Sequence, residues 1–303
     1  MISASSKRSG VICGISAYLI WGIAPIYFHA LSHVPAGTIL CHRIVWSVML
    51  LTILCSAMGQ WSDVWSHVRD RRTLIALICS TVLMAVNWLT FIWMITHGQV
   101  LQVSLGYFIT PLLSALLGLT LMREKFRPVQ WVSLGIAVLG VITYAIGRSE
   151  FPRLALLLAI SFSFYAFFRK RSGTGPVAGL TVETWLLLPA ALPYLLMHPM
   201  GATPEHPNTT YLLLSAGFVT TIPLLLFAAA AKRLPLTTLG FLQYVGPTCQ
   251  FLLATTVYHE AFRASQAFSF VLIWIALALY SAEAWRMYRR GVESVEAVAG
   301  DLA

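Results

Sequence analysis

Few side chains in this sequence are equipped for chemistry, and those few stand among apolar neighbours. His42 and Arg43 lie in "VPAGTILCHRIVWS", an imidazole and a guanidinium inside an apolar run. A guanidinium presents a planar fork of N–H donors that matches a carboxylate or phosphate bidentately, so Arg43 could receive an anionic solute, with His42 serving a gate beside it. Arg43 could equally extend to a membrane surface or bond helix-end carbonyls. Glu183, in "GLTVETWLLLP", is the one carboxylate well inside an apolar stretch. An acid in such surroundings is a candidate proton-coupling group; the alternative is a helix-end acid paired with loop cations such as Arg169 or Arg171. Asn87, Trp88 and Phe91 in "NWLTFIW", Tyr107, Gln243 and Tyr244, with Tyr18, Trp21 and Tyr165, supply aromatic and amide surfaces for a cavity that holds an organic or amphipathic solute.

No enzyme motif accompanies these groups. There is no G-x-S-x-G, no G-x-x-x-x-G-K-S/T and no H-E-x-x-H; "HEAFR" at His259 and Glu260 has Arg263 where a second ligand would be needed. The cysteines Cys13, Cys41, Cys55, Cys79 and Cys249 lie in apolar stretches without metal-ligand spacing. We therefore expect neither metal nor cofactor, no catalytic residue, and no transport powered directly by ATP.

The elements that position these residues follow from composition. The chain has 303 residues, 58% hydrophobic and 10% charged, with a mean hydropathy of +0.77. Soluble domains carry roughly 25% charged residues, so this chain has too few ionic groups to coat a water-soluble globule. It reads as an all-α integral membrane protein. A span needs about 20 mostly apolar residues, and the sequence divides into ten: 10–31, 36–58, 73–96, 100–122, 128–147, 152–169, 178–198, 209–231, 236–258 and 265–285. The run after Lys7 and Arg8 lacks a short apolar core with a small-residue cleavage site, so it reads as a retained first span. Almost nothing is left for a soluble domain, and the tail after Trp285, with Glu293, Glu296 and Asp301, is expected to lack order.

Basic residues set the orientation. Lys7, Arg8, Arg69, Arg71, Arg72, Arg123, Lys125, Arg127, Arg169, Lys170, Arg171, Lys232, Arg233, Arg286, Arg289 and Arg290 fall in one alternate set of segments, against Arg148, Arg153 and Arg263 in the other. The excess marks the cytoplasmic side and puts both termini there. The formal charge of +9 thus reflects topology and does not point to nucleic acid. The partners implied are the lipid bilayer and a small-molecule substrate, with a proton or an exchanged solute as the coupling species.

The chain also repeats itself. At a constant offset Phe91 meets Phe227, Pro111 meets Pro247, Glu124 meets Glu260, Phe126 and Arg127 meet Phe262 and Arg263, Gln130 meets Gln266 and Tyr144 meets Tyr280. Five helices per half is an odd number, so the second half enters the membrane from the opposite side. The fold expected is two inverted five-helix repeats, 1–147 and 148–285, followed by a cytoplasmic tail at 286–303. Halves so related can close one side while opening the other. Pro111 and Pro247 stand at equivalent positions, and with Pro25 and Pro223 they read as hinges. Trp61, Trp65 and Trp285 fit the interfacial belt, and Glu124 and Glu260 read as caps on the helices that follow them.

The strings "AYLIWGIAPIYF", "VPAGTILCHRIVWS", "NWLTFIWMI", "SLGYFITPLLSALLGL", "SFYAFFRK" and "LGFLQYVGPTCQFLLATTVYHE" resemble the RarD branch of the EamA group in the drug/metabolite transporter superfamily. The resemblance runs from about Gly10 to Ala284. It implies a ten-helix permease of a bacterial cytoplasmic membrane with a central cavity between the halves, and a substrate that is a small organic metabolite or drug-like compound; relatives elsewhere in the superfamily export amino acids, which leaves a zwitterion permease as the alternative. Where the resemblance would place Glu-Ala and Ile-Asn-Pro, this chain has Gln102 and Val103, and Ile109, Thr110 and Pro111.

Overall fold

The computed structural model describes residues 4–121, 128–148, 151–199, 203–231, 233–234 and 242–300. The elements are α1 (Ala4–His29), α2 (Ala36–Ala57), α3 (Trp61–Arg69), α4 (Arg71–Thr96), α5 (Val100–Leu121), α6 (Pro128–Arg148), α7 (Arg153–Ser172), α8 (Pro176–Met197), α9 (Thr209–Ala231), α10 (Val245–Leu252), a π-helical turn (Leu253–Val257) and α11 (Ala264–Gly300). Among the described residues there is no strand. Seven of these helices are long and apolar enough to cross a membrane by length and composition. The reason is the solvent: a helix satisfies its own backbone N–H and C=O groups, which hydrocarbon cannot do. Ile12, Ile23, Ile53, Val82, Ile142 and Phe218 are exposed on the outer faces of these helices, where lipid would cover them.

Nine expected spans coincide with helices, and the ninth, 236–258, is described from Leu242 onward. There the chain makes a turn at Gln243 and Tyr244 before α10 begins. Pro247 therefore occupies the first turn of a helix, where a missing N–H costs little, whereas Pro111 lies inside the continuous α5. Pro25 and Pro223 also lie inside their helices. The two repeat-equivalent prolines thus stand in different local structure.

Two further expectations are corrected. The loop at 59–72 contains α3, whose Val64 is buried with Cys55, Leu77, Val177 and Val182 while Trp65 is exposed. Trp61, Val64, Trp65 and Val68 recur at helical spacing, which makes an amphipathic interfacial helix favourable. The tail expected to lack order continues α11 as far as Gly300, because nothing between Trp285 and Val298 breaks a helix that has already been nucleated except the single Gly291.

The helices pair chiefly across the halves. α1 packs on α9 and α10, α7 packs on α4 and α5, α2 on α8, and α6 on α11. Exchanging each helix for the one that the sequence offset sets against it returns these same pairs. One pair of equivalents differs in extent: α2 lies along α9 over a long contact, whereas α8 meets α4 over a shorter one.

Loops sort cleanly to two ends. At one, His33 Nε2 bonds Thr209 Oγ1 at 2.7 Å, His29 packs on Tyr258, and Glu260 bonds the start of α5. At the other, Gly10 lies against Arg233 and Leu234, and Val64 and Leu77 pack with Val177 and Ala178. Arg69, Arg71, Arg72, Arg169, Lys170, Arg171 and Arg233 all belong to this second end, together with the start of α1.

Small residues allow the close approaches. A Cβ on Gly217 of α9 would stand 2.7 Å from the backbone carbonyl carbon of Trp46 in α2, and one on Gly106 of α5 would stand 2.7 Å from the Ala155 carbonyl oxygen in α7. In lipid such backbone proximity replaces the hydrophobic drive between helices. Gly217→Ala is therefore expected to destabilise the protein by about 1–3 kcal/mol, read as a lower melting temperature in detergent; an unchanged melting temperature would show that the two helices separate without cost.

Candidate functional site

Arg43 is at the centre of the apolar core. It is 8% exposed, its Nε lacks a hydrogen-bond partner, and its guanidinium carbon stands 4.1 Å from the Trp88 ring centroid and 5.7 Å from that of Phe28. The hydroxyls of Tyr27 and Tyr107 lie within its electrostatic reach. A guanidinium over an indole face gains a cation–π attraction that is strongest away from water. Four helices build this cage: α1 supplies Tyr27 and Phe28, α2 supplies Arg43, α4 supplies Trp88, and α5 supplies Tyr107.

Aromatic rings extend the cage toward α7. Phe28 meets Phe91 edge-on at 5.6 Å, Phe91 meets Tyr107 at 6.0 Å, Tyr107 meets Phe162 at 6.2 Å, and Phe162 meets Tyr165 at 5.8 Å. Asn87, 1% exposed, runs beside them: its Nδ2 donates to the Leu158 carbonyl at 3.0 Å and to Ser161 Oγ at 3.1 Å, and its Oδ1 accepts a long 3.5 Å bond from the Tyr107 hydroxyl. The structure thus brings together Arg43, Asn87, Trp88, Phe91, Tyr107 and Tyr165. Phe28 and Phe162 belong to the same ladder and were not singled out from the sequence; nothing distinguishes them there from other phenylalanines.

The remaining candidates lie elsewhere. Tyr18 and Trp21 form a second cluster with Phe227, with ring centroids 5.4 to 6.0 Å apart, on the face of α1 toward α9. Gln243 and Tyr244 sit in the turn before α10, and Tyr244 faces Tyr280 and Ser281 of α11. His42 accepts a 3.3 Å bond from Trp46 Nε1 one turn further along α2, so its ring is engaged by its own helix.

Glu183 occupies a different level. It is 2% exposed, accepts a 2.5 Å bond from Ser80 Oγ, and stands 3.7 Å from Arg169 Nε; its Oε2 is left without a hydrogen bond. Arg169 also bonds Thr174 in the turn that leads into α8. Pairing with a cation at the helix end, one of the two readings of Glu183, is therefore present. Along α4, Ser80 and Trp88 are eight residues apart, a rise of about 12 Å, so Glu183 and Arg43 do not form a pair.

Glu260 departs from expectation. Its two carboxylate oxygens accept from the amides of Val100 and Leu101, at 2.6 and 2.9 Å. It caps the start of α5, 160 residues away. The free N–H groups and positive dipole end of a helix attract a carboxylate wherever the chain can deliver one. The approach to α11 is held by Gln266, whose Oε1 accepts from the Arg263 amide at 2.8 Å. Glu124 lies outside the described residues.

Beyond the membrane-spanning helices, the rings of His33 and His206 stack 3.6 Å apart at an interplanar angle of 9°, joining the α1–α2 and α8–α9 loops.

These apolar helices surround a cation, aromatic rings and buried amides, and the class of protein that they form, a membrane transporter, follows from the family. Residues 8–146 and 153–282 each match the EamA-like transporter family, and the chain belongs to it, within its RarD branch. It is 42% identical to Protein RarD of Escherichia coli (strain K12) over 95% of this chain and 99% of that protein. It is also 42% identical to the uncharacterized transporter YojE of Bacillus subtilis (strain 168), over 91% and 95% of the two chains. A crystal structure aligns with a TM-score of 0.59 over 90% of this chain and 97% of the other at 17% identity, a likeness of fold.

The histidine stack carries a pH dependence. Burial, and then the facing His206, hold the His33 imidazole below its ordinary value. The fold thus favours the neutral ring, a contribution complete above the ordinary imidazole value of about 6.5 and lost as the pH falls below it. We expect the melting temperature in detergent to drop between about pH 7.5 and pH 5.5, and the drop to shrink in His206→Gln. An equal drop in the variant would assign the effect to other groups.

Proposed function

We propose that the protein is a secondary transporter that carries a small organic solute across the bacterial cytoplasmic membrane by alternating access of two inverted five-helix halves, residues 1–147 and 148–285. Both termini are cytoplasmic in this reading, since the end of the bundle that holds the start of α1 also holds most of the basic residues. The observation that carries it is the pairing of helices across the halves. The same pairs recur when the halves are exchanged, yet α2–α9 is long where α8–α4 is short. Two packings of one interface, one on each side of a pseudo-two-fold axis, can trade places and so open opposite ends in turn. The Arg43 cage is built by helices of the first half, and the aromatic ladder runs from it to Phe162 and Tyr165 of α7 in the second. Pro25, Pro111, Pro223 and the turn before Pro247 supply bends at which the helices can flex.

Counterflow tests this reading. Proteoliposomes loaded with an unlabelled solute from a panel of amino acids, aromatic carboxylates and chloramphenicol should draw in the labelled solute transiently above its equilibrium level. Flux without that overshoot would indicate a channel, and its absence for every solute, with folded protein, would remove the transport assignment for the panel's classes.

Glu183 supplies the coupling step: buried, it can take up and release a proton as its contacts with Ser80, Arg169 and Tyr165 change. Glu183→Gln keeps the bond from Ser80 and is expected to retain exchange while losing accumulation driven by an imposed pH gradient. Accumulation at the wild-type level would leave Glu183 as a structural partner of Arg169 alone.

A further inference from the structure

The guanidinium of Arg43 is half answered. Its face rests on the Trp88 and Phe28 rings, while on its edge, where the N–H donors lie, the buried Nε–H has no hydrogen-bond partner. Stacking and in-plane bonding use different parts of the group, so the edge stays available without breaking the stack. A buried cation with no counter-ion is costly unless something arrives to pair with it. None of the chain's 11 acidic residues lies in α1, α2, α4 or α5, the helices that build the cage. Glu183, the buried acid of α8, is a level away and bonded to Ser80.

We propose that the Arg43 cage is a binding site for an organic monoanion, a carboxylate borne on an aromatic or similarly apolar body, as the transported solute. The carboxylate would meet the guanidinium edge in its plane, two parallel N–H···O bonds replacing the missing counter-ion. The body would lie along the rings of Phe91, Tyr107 and Phe162. One cation sets the charge at one: the other basic residues on these helices, such as Arg8, Arg71 and Arg72, belong to the opposite end of the bundle, so a dianion would leave a charge unmet. An α-amino acid fits poorly, because its ammonium stands one carbon from its carboxylate and the cage offers it no acid. The inference rests on the transporter reading for the word "transported" and on the cage alone for the anion.

The test uses the full chain in detergent and three acid and amide pairs that differ in charge but hardly in shape: benzoate and benzamide, phenylacetate and phenylacetamide, cinnamate and cinnamamide. Binding is followed by tryptophan fluorescence and by thermal stabilisation. At least one acid should bind saturably and about tenfold or more tighter than its amide, the scale of a charge-assisted bond. Phenylalanine should bind more weakly than phenylacetate. Arg43→Gln should bring acid and amide to within about twofold, and Arg43→Lys, which keeps the charge without the planar fork, should fall between.

If Arg43→Gln does not elute as a folded species, Arg43→Lys and the wild-type pairs decide. No saturable binding of any acid, equal binding of acids and amides, phenylalanine binding as tightly as phenylacetate, or a preference for acids that survives in Arg43→Gln each overturns the proposal. Counterflow with the same compounds separates this outcome from that of the transport reading. Arg43-dependent binding without exchange would defeat transport and leave the anion site standing, and exchange indifferent to charge would do the reverse.

Discussion

Inside a hydrocarbon layer there is no water to answer a polar group, and an unpaired backbone or side-chain group there costs several kcal/mol. The architecture follows from that constraint. Backbone groups close their bonds within helices, and several buried side chains find partners on a neighbouring helix. Asn87 of α4 donates to the Leu158 carbonyl of α7, Ser104 of α5 to the Pro247 carbonyl of α10, and Tyr27 of α1 to the Leu212 carbonyl of α9. Each of these bonds joins one half of the chain to the other. Glu183 is met by Ser80 and Arg169. Against this background Arg43, answered by rings and by no acid, stands out.

The same bonds sit where backbones come closest. Gly106 against Ala155, Gly217 against the Trp46 backbone and Gly22 against Cys249 bring α5 to α7, α2 to α9 and α1 to α10. Interfaces of small residues with a few hydrogen bonds gain little from the hydrophobic effect in lipid and depend on fit. Contacts between loops and helix starts add the fastening at one end of the bundle: Glu260 on the first amides of α5, and His33 with Thr209 and His206. These fastenings join segments far apart in the chain, and each uses polar groups outside the apolar core.

Much of the helix order was legible because hydropathy and helical geometry depend on runs of neighbouring residues. Nine of the span boundaries and the sorting of the described basic residues to one end agree with the fold. The loop at 59–72 was less legible: a nine-residue amphipathic helix has the spacing of Trp61, Val64, Trp65 and Val68 as its signal, but too few apolar residues to register as a span. The candidate site was legible in part. Arg43, Asn87, Trp88, Phe91, Tyr107 and Tyr165 converge, and they shared a visible feature, polar or aromatic groups at matching depth. Tyr18 and Trp21 have the same character, yet Trp21 stands about 10 Å along α1 from Phe28, and there the two rings meet Phe227 of α9 while Phe28 meets Arg43. Which neighbour each level of α1 meets is set by helix packing, which no local pattern encodes.

By itself the sequence determined the class of protein, the order of its membrane-spanning helices, the end of the bundle where its described cations gather and its family, since each depends on composition, on local runs or on strings of residues. Only the tertiary structure decided which polar groups meet. Glu260 caps α5, Glu183 joins Ser80 and Arg169, Pro247 begins a helix where Pro111 continues one, and Arg43 is left beside aromatic rings. The reason is physical: a hydrogen bond or a cation–π contact is made within a few ångströms, and which residues come that close is settled by how helices distant in sequence rotate and lean against one another.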